Sequence, residues 1–573
     1  MPKYVTNSIL MDLLSKYGVK KLVLSSGARN IPFVTTVETD PRFHCYSVVD
    51  ERNAAFFALG ISQQLNEPVA IACTSGTAAS NYLSGVTEAF YSHAPLVVLT
   101  FDRSPYLLNQ IETQKIDQPA IFQSVVKKSV NLPLIKDEDD IWYCQRLINE
   151  ALIALRQHQD GPVHINIPLV GDQNKLVEES INRDTIENVN VIDYICQAPA
   201  HFREYAARMR GKRVLIVMGQ TIPLDPETRA AIQGFCKRCH TPLLADNLSN
   251  FRCDEMILAE GVGKALNSKT ITKYVPDIVI SFGANFQERI KDLLRAHRTR
   301  ISHWSIEPEG LVRDVFKCQR ALFEYSPRAF FQQMLEYAEG EYGDEYLNEW
   351  KKLESAVVVP ELPFSSFYIA RELSKHIPNN SILHTAILNS TRLMQFFKLD
   401  GSITCFSNVN AFGIDGALPT FMGQAAATDR LAFLLIGDLS FFYGMNAAAI
   451  KHRKNNIRIL VLNNGGGAEF HIMPDSNAIP TIDWHIGCAH DRSVKGWVES
   501  MGYRYLKAET KEELAEALPV FASMEQDAPI VLETFTAMKE DGELTLSVYR
   551  HLEKCIKPIV QTKEDERNGS RND

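Results

Sequence analysis

The stretch RLAFLLIGDLSFFYGMNAAAIKHRKNNIRILVLNNGGG, residues 430–467, decides the fold class of this chain. Residues 430–438 and 457–464 have the apolar pattern of buried strands, and residues 441–455 between them have that of a helix. A strand–helix–strand unit places its two strands parallel, with their carboxyl ends at the same edge of a sheet. Asp438 and Asn464 stand at these ends, so we expect both side chains at the edge where open α/β sheets bind ligands.

The same alternation of short apolar runs and helical patterns extends over the whole chain. Runs such as KKLVLSSG, PLVVLTFDR, KRVLIVMGQ and PDIVISFGAN predict buried strands, with helical stretches between them. This order predicts an α/β protein built from three doubly wound parallel sheets, of which the first and third have similar layouts. We place the domains at residues 1–180, 195–335 and 360–555, and we expect residues 556–573 to form a disordered tail because they contain few apolar residues.

Composition excludes several classes of protein. The 573 residues carry a formal net charge of −9, which argues against a nucleic-acid-binding protein. No apolar run approaches the roughly 18–20 residues that span a bilayer, and the first residues lack the apolar core of a signal peptide. Eleven scattered cysteines suit a reducing compartment, so we expect a cytoplasmic protein. CKRCH, residues 236–240, matches a haem-attachment pattern, but it lies in a predicted amphipathic helix and we interpret it as ordinary helix sequence.

The polar groups after the two strands have the chemistry of a magnesium site. A carboxylate from Asp438, an amide oxygen from Asn464 and a free backbone carbonyl are hard oxygen ligands, which Mg²⁺ combines with phosphate oxygens and water. The start of the following helix attracts phosphate, and the glycines at 465–467 allow a close approach of the backbone. The alternative is a helix cap and a glycine-rich turn without a ligand. The chain has no G-x-x-x-x-G-K-[ST] phosphate loop, and the faint likeness of GDLSFFYGMN to a phosphatase loop lacks a nucleophilic aspartate upstream.

The spacing of these groups resembles the signature of the thiamine-diphosphate enzymes. Asn464 follows Asp438 by twenty-six positions, and that family carries Gly-Asp-x, about two dozen residues and then Asn-Asn. A second motif, YSVVDERNAAFFALG, places Glu51 where the family has a glutamate that hydrogen-bonds N1′ of the aminopyrimidine and so promotes loss of the thiazolium C2 proton. The resemblance implies thiamine diphosphate and Mg²⁺ as cofactors. It also implies that the three blocks are pyrimidine-binding, central and diphosphate-binding domains.

Further motifs resemble the menaquinone-pathway synthases that join 2-oxoglutarate to isochorismate. SSGARNIPF, CTSGTAASNY, FDRSPYLLNQIETQKIDQ, NAFGIDGALPT and NNGGGAEF are similar to motifs of that family and stand in the same order. The resemblance assigns cofactor contacts to Glu51, Asn389, Ser390, Ile414, Gly437, Asp438, Leu439, Ser440, Asn464, Gly466 and Gly467, with Glu51 as the catalytic residue. It assigns metal ligands to Asp438, Asn464 and Gly466, and substrate contacts to Arg29, Arg103, Gln114, Glu469 and Phe470.

Several positions depart from the family pattern. Ala28 and Thr113 replace a serine and an asparagine, and Glu469 replaces a small apolar residue. Val409 and Met394 stand where the family has substrate-binding arginines, and Arg392 and Arg289 are the candidates to replace them. An arginine that pairs with a carboxylate contributes strongly to recognition. The departures therefore suggest a donor without the second carboxylate of 2-oxoglutarate, such as pyruvate.

The predicted function is decarboxylation of a 2-oxoacid, with transfer of the acyl anion equivalent to an acceptor. Three alternatives remain: the menaquinone-pathway reaction itself, an acetolactate-synthase-like enzyme with a flavin in the central block, and a non-catalytic cofactor-binding protein. Intact Glu51, Asp438 and Asn464 argue against the last of these. The resemblance also implies a homodimer or homotetramer with the cofactor between subunits, and it implies no nucleic-acid or membrane partner.

Overall fold

Three six-stranded parallel sheets organise the chain, as the alternating pattern predicts. The computed structural model describes residues 5–169, 186, 188–189, 199–473, 476 and 479–561. The predicted boundary between the first two domains and residues 562–573 of the predicted tail lie outside the described residues, apart from 186 and 188–189. None of the described helices combines the length and the apolar character that crossing a bilayer requires.

The first sheet has the strand order β2-β1-β3-β4-β6-β5. Its strands are β1 (Lys21–Leu24), β2 (His44–Ser47), β3 (Val69–Cys73), β4 (Leu96–Asp102), β5 (Lys128–Asn131) and β6 (Val163–Pro168). Its helices are α1 (Val5–Lys16), α2 (Ile31–Val37), α3 (Glu51–Leu65), α4 (Thr77–Asn81), α5 (Leu83–Tyr91) and α6 (Glu138–Ala154). Strands β3, β4 and β6 are buried along their whole length, which explains why they are mainly apolar; the polar exceptions in β6 are His164 and Asn166.

The second sheet has the order β12-β11-β10-β7-β8-β9. Its strands are β7 (Val214–Met218), β8 (Leu243–Ala245), β9 (Met256–Leu258), β10 (Ile278–Phe282), β11 (Ser302–Ile306) and β12 (Gln319–Phe323). Its helices are α7 (Pro199–Arg208), α8 (Pro226–Cys239), α9 (Ala259–Ala265), α10 (Glu288–Ala296), α11 (Pro327–Glu336) and α12 (Glu345–Ala356). Cys236 and Cys239 are buried in α8, which agrees with their interpretation as ordinary helix residues.

The third sheet repeats the strand order of the first, as β14-β13-β15-β16-β18-β17. Its strands are β13 (Ile382–Thr385), β14 (Thr404–Phe406), β15 (Ala432–Gly437), β16 (Ile457–Asn463), β17 (Arg504–Ala508) and β18 (Ile530–Phe535). Its helices are α13 (Ser366–His376), α14 (Asn389–Met394), α15 (Ala417–Ala426), α16 (Asp438–Tyr443), α17 (Glu469–Ile472), α18 (Lys495–Ser500), α19 (Lys511–Ala522), α20 (Met538–Cys555) and α21 (Lys557–Gln561). The first residues of the predicted tail are therefore helical.

The bounds predicted for the helix at residues 441–455 are wrong. Helix α16 begins at Asp438, and a 3-10 turn over Met445–Ala449 follows it. An acidic residue in the first turn favours the helix start, because it faces the positive end of the helix dipole. Gly444 follows the last residue of α16 and ends it.

The first and third domains share an apolar core. Helix α3 of the first domain packs against α15 of the third, so closely that Gly60 and Gly423 have no room for a side chain. A Cβ atom on Gly60 would lie 1.9 Å from the carbonyl oxygen of Thr420. This contact fixes the start of α3, where Glu51 lies, relative to the third sheet.

Candidate functional site

Asp438 and the glycine-rich turn after β16 form one hydrogen-bonded unit. Strands β15 and β16 are parallel neighbours, with Gly437 opposite Leu462, so the residues that follow them meet at one edge. Asp438 Oδ2 accepts hydrogen bonds from the backbone N–H groups of Gly465 at 2.9 Å and Gly466 at 3.1 Å. Its Oδ1 accepts one from Leu439 N–H at 2.6 Å. The Asp438 carboxylate is therefore buried and fixed in orientation.

Asn464 supplies a buried amide oxygen. Its Oδ1 is buried and has no hydrogen-bond partner among the described residues. Its Nδ2 lies 3.5 Å from Asp541 Oδ2, and Asp541 also accepts hydrogen bonds from Ser366 N–H at 2.9 Å and Thr536 Oγ1 at 2.6 Å. Because the amide nitrogen faces this carboxylate, the amide oxygen points away from it. A buried unpaired oxygen is costly unless a ligand satisfies it.

The donor set at this edge fits Mg²⁺ bound together with a diphosphate. It consists of the Asp438 carboxylate, the free Asn464 oxygen and the backbone of Gly466, all of them hard ligands. Gly466 has a φ of 152°, and a Cβ there would lie 2.6 Å from Gly487 O, so only glycine is accommodated. The described residues contain no cluster of three histidine, cysteine, aspartate or glutamate side chains that could hold a metal alone.

His490 is a neighbour of this unit that no sequence motif marks. Its Nε2 lies 3.4 Å from Asp438 Oδ2, and its backbone N–H donates to Gly465 O at 2.9 Å. Its Nδ1 accepts a hydrogen bond from Arg492 N–H, and its buried Nε2 makes no hydrogen bond within the described residues. His490 therefore holds the turn through its backbone and lies against the carboxylate with its ring. Asp541, which orients Asn464, was missed in the same way, because it lies more than seventy residues away in sequence.

The other predicted cofactor residues surround this edge. Ser440 Oγ donates to the carbonyl oxygen of Ile414 at 2.7 Å, so the first turn of α16 holds the loop that carries Ile414. Asn389 and the buried Ser390 begin α14. Leu388 before them has a φ of 63°, a strained conformation for a residue with a side chain, which persists only where the surroundings impose it.

The loop over residues 407–416 is held by all three domains. Glu88 on α5 accepts a hydrogen bond from Ala411 N–H at 2.7 Å and from Asn410 N–H at 3.4 Å. From the central domain, Asn285 Nδ2 donates to Val409 O at 2.6 Å, and Gln220 Nε2 donates to Ser407 O at 2.7 Å. The position of Ile414 therefore depends on contacts between domains.

The predicted substrate residues of the first domain form a second cluster. Arg103 makes an ion pair with Glu112, and burial, followed by repulsion from Arg103, lowers the pKa of Arg29. Gln114 Nε2 donates to Ser75 O at 3.2 Å, and Arg29 N–H donates to Thr74 Oγ1 at 3.1 Å. The structure thus brings Arg29, Arg103 and Gln114 to one end of the first sheet, on a different domain from Asp438.

Glu51 is the first residue of α3, and Asp50 caps the helix. Burial raises the pKa of the Glu51 carboxyl, its own backbone N–H opposes this in part, and Asp50 raises it further. The start of α3 contacts the far end of α16, where Arg52 Nη2 donates to Tyr443 O at 2.9 Å. Asp438 lies at the other end of that helix.

A cavity of about 1210 Å³ lies where the three domains meet. Its wall in the third domain includes Leu388, Arg392, Val409, Glu469 and Phe470. Arg392 makes an ion pair with Glu469 across this wall.

Positions 394 and 289, the other two considered for a substrate-binding arginine, do not contribute a cation to the cavity. Met394 is fully buried in the core, and its carbonyl accepts a hydrogen bond from Asn247 Nδ2. Arg289 lies within 3.5 Å of Leu266 O and is not part of the cavity wall. Of the two candidate replacements, Arg392 is the one that the structure places at the cavity.

Comparison with known proteins finds relatives that match nearly the whole chain. Residues 6–121 match the family model described as "Thiamine pyrophosphate enzyme, N-terminal TPP binding domain". The 2-succinyl-5-enolpyruvyl-6-hydroxy-3-cyclohexene-1-carboxylate synthase of Bacteroides thetaiotaomicron is 34% identical over 568 residues, which cover 95% of this chain and 98% of the relative. The proteins of the same name from Desulfotalea psychrophila and Flavobacterium johnsoniae are 32% and 28% identical, and the matches cover 91% and 96% of this chain and 96% and 99% of the relatives.

Proposed function

We propose a reaction from the premise that the chain belongs to the thiamine pyrophosphate enzymes, in the family of the 2-succinyl-5-enolpyruvyl-6-hydroxy-3-cyclohexene-1-carboxylate synthases. The proposed reaction is the decarboxylation of a 2-oxoacid with transfer of the acyl anion equivalent to an acceptor. The observation that carries it is the buried, unpaired Oδ1 of Asn464 beside the fixed carboxylate of Asp438. In this family such a pair is expected where Mg²⁺ and a diphosphate bind.

The protein's own residues would bind and orient the cofactor. Asp438, Asn464 and Gly466 would hold Mg²⁺, and Asn389, Ser390 and the first turn of α16 would contact the diphosphate. Bound thiamine diphosphate supplies a nucleophilic carbon and stabilises the negative charge left when CO₂ departs. Glu51 would hold a proton at N1′ of the aminopyrimidine, and its raised pKa suits that role because a partly buried carboxyl group retains a proton more readily.

A second copy of the chain would complete the site. Glu51, Arg29 and Arg103 belong to the first domain, whereas the magnesium ligands belong to the third. We propose that the first domain of one subunit faces the third domain of another, in a homodimer or homotetramer. Arg29, Arg103 and Gln114 would then contact the acceptor.

The proposed donor is a 2-oxoacid without a second carboxylate, such as pyruvate. Val409 lines the cavity with an apolar side chain where the family has an arginine. A distal carboxylate buried against such a wall would remain unpaired, at a cost of several kcal/mol. The second candidate is the reaction of 2-oxoglutarate with isochorismate, which the name of the relatives favours.

Calorimetric titration with thiamine diphosphate and Mg²⁺ tests the cofactor site. We expect binding to the wild-type protein and none to Asp438→Ala, because that change removes the only carboxylate of the donor set. Asp429→Ala is the matched control, since Asp429 is an exposed residue paired with Lys454. Equal affinity of wild type and Asp438→Ala would refute the site. Release of CO₂ from pyruvate and from 2-oxoglutarate, followed in parallel, separates the two candidate reactions.

A further inference from the structure

The ion pair between Arg392 and Glu469 lies between the two segments proposed to hold the diphosphate. Glu469 is the first residue of α17 and follows the glycine-rich turn by two positions. Arg392 lies on α14, one turn after Asn389 and Ser390. Both side chains line the large cavity, and the side chain of Glu469 is only 8% exposed, against 25% for Arg392. The pair therefore forms a part of the cavity wall that joins the two segments proposed to contact the cofactor.

The charges around the pair are balanced. Burial opposes the charge on Arg392, but contact with Glu469 outweighs it, and the net effect raises the pKa of the guanidinium. Glu260 from α9 and Tyr549 from α20 add to this stabilisation. Glu260 accepts a hydrogen bond from Gln287 Nε2 at 2.8 Å and lies 3.7 Å from Lys264 Nζ. Two cations, Arg392 and Lys264, thus face two carboxylates, Glu469 and Glu260, so this part of the cavity wall carries no net charge.

This balance has a consequence for donor binding. A donor with a distal carboxylate would have to displace Glu469 from Arg392, which would leave Glu469 as a buried, unpaired charge. Breaking a buried ion pair in this way is strongly unfavourable. A donor with a short apolar chain leaves the pair intact and contacts Val409 and Phe470 instead.

We propose that Glu469 determines donor specificity by occupying Arg392, so that the site accepts 2-oxoacids with short apolar chains and rejects those with an anionic end. This inference rests on the proposed function. The small apolar residue of the family pattern at this position could not pair with Arg392, whereas Glu469 does. Removing the charge of Glu469 should release Arg392 to pair with a distal carboxylate.

The test compares kcat/KM for CO₂ release from pyruvate, 2-oxobutyrate and 2-oxoglutarate, with enzyme loaded with thiamine diphosphate and Mg²⁺. We expect Glu469→Gln to raise the ratio of 2-oxoglutarate to pyruvate by about tenfold or more, which corresponds to about 1.4 kcal/mol. The double variant Arg392→Met/Glu469→Gln should lose this gain, since it has no cation to offer. Glu509→Gln is the matched control, because Glu509 is an exposed carboxylate paired with Lys507.

A stability measurement keeps the inference testable if a variant is poorly folded. Arg392→Met alone should lower the melting temperature more than the double variant, because it leaves Glu469 buried without a partner. An unchanged donor ratio in Glu469→Gln, or a wild-type preference for 2-oxoglutarate, would overturn the inference. The proposed function fails separately, if the wild type neither binds the cofactor nor releases CO₂ from any of the three donors.

Discussion

Glu88 should make the stability of this protein depend on pH, and glutamine at this position should remove that dependence. Glu88 is 1% exposed, and it accepts hydrogen bonds from the loop that carries Ile414. Burial raises its pKa to about 7 from the usual 4.5, although its hydrogen bonds to Ala411 and Asn410 oppose the shift. Asp415 across the same crevice raises the pKa further, and Arg52 also lines that crevice.

The sign and size of the effect on folding stability follow from the raised pKa of Glu88. The folded protein binds the Glu88 proton more tightly than the unfolded chain, so this group adds stability that is fully present below the unfolded pKa. That stability is lost as the pH rises through about 7. A shift of between two and three units corresponds to about 3 kcal/mol, lost mainly between pH 4.5 and 7. Glutamine remains neutral and is nearly isosteric, so Glu88→Gln should gain stability relative to wild type over this range.

Denaturant unfolding of wild type and Glu88→Gln at several pH values from 5 to 8 measures this difference. The difference in midpoint between the two proteins is the relevant quantity, because other titrating groups contribute equally to both. Glu509→Gln serves as the exposed control, and its difference from wild type should stay constant. If the midpoint difference for Glu88→Gln is also constant from pH 5 to 8, the carboxyl does not change its ionisation there and the reasoning is wrong.

Three further predictions concern the cofactor, the domain contact and the donor. Glu51→Gln should keep cofactor binding but lower kcat by roughly 10²–10⁴-fold, because an amide cannot hold the proton at N1′. Exchange of the cofactor C2 proton, followed by NMR, should be slower in this variant than in wild type. Gly60→Ala should lower the melting temperature, since α3 must move away from Thr420 O, whereas Gly496→Ala, with open space around it, should not; equal melting temperatures would contradict the close packing. Val409→Arg should raise kcat/KM for 2-oxoglutarate relative to pyruvate, and an unchanged ratio would place Val409 outside the donor site.

The strand pattern was predictable because burial on both faces leaves a direct trace in the sequence. Strands β4, β15 and β16 appear as mainly apolar runs that end in a polar residue or glycine, with Thr100 in β4 and Arg458 in β16 as internal exceptions, and all three have the predicted place in a parallel sheet. The likeness of the first and third domains was visible for the same reason, and the two sheets share one strand order. The helix after β15 was harder to predict, because a single glycine, Gly444, divides a stretch of good helix formers.

Contacts between distant segments were not predictable from periodicity or motif. Asp541 orients Asn464 from helix α20, and His490 supports Asp438 from a loop before α18. Each contact depends on how complete domains pack, and neither residue stands in a local pattern that differs from ordinary polar sequence. Glu88 belongs to the same group, since its partner Ala411 lies in another domain.

Positions 392 and 394 show that matching a sequence to a family pattern and locating side chains in the fold can lead to different conclusions. Residues 392 and 394 are two positions apart on α14, which places them about 200° apart around the helix axis. Arg392 accordingly faces the cavity, together with Thr391 and Gln395, and Met394 faces the core. The absence of an arginine at 394 therefore does not by itself leave this part of the cavity wall without a guanidinium group. What removes the cation from use is Glu469, which is seventy-seven residues further along the chain and pairs with Arg392. The preference proposed for the donor thus depends on the charge balance of this pair, and Glu469→Gln tests it more directly than any change at position 394.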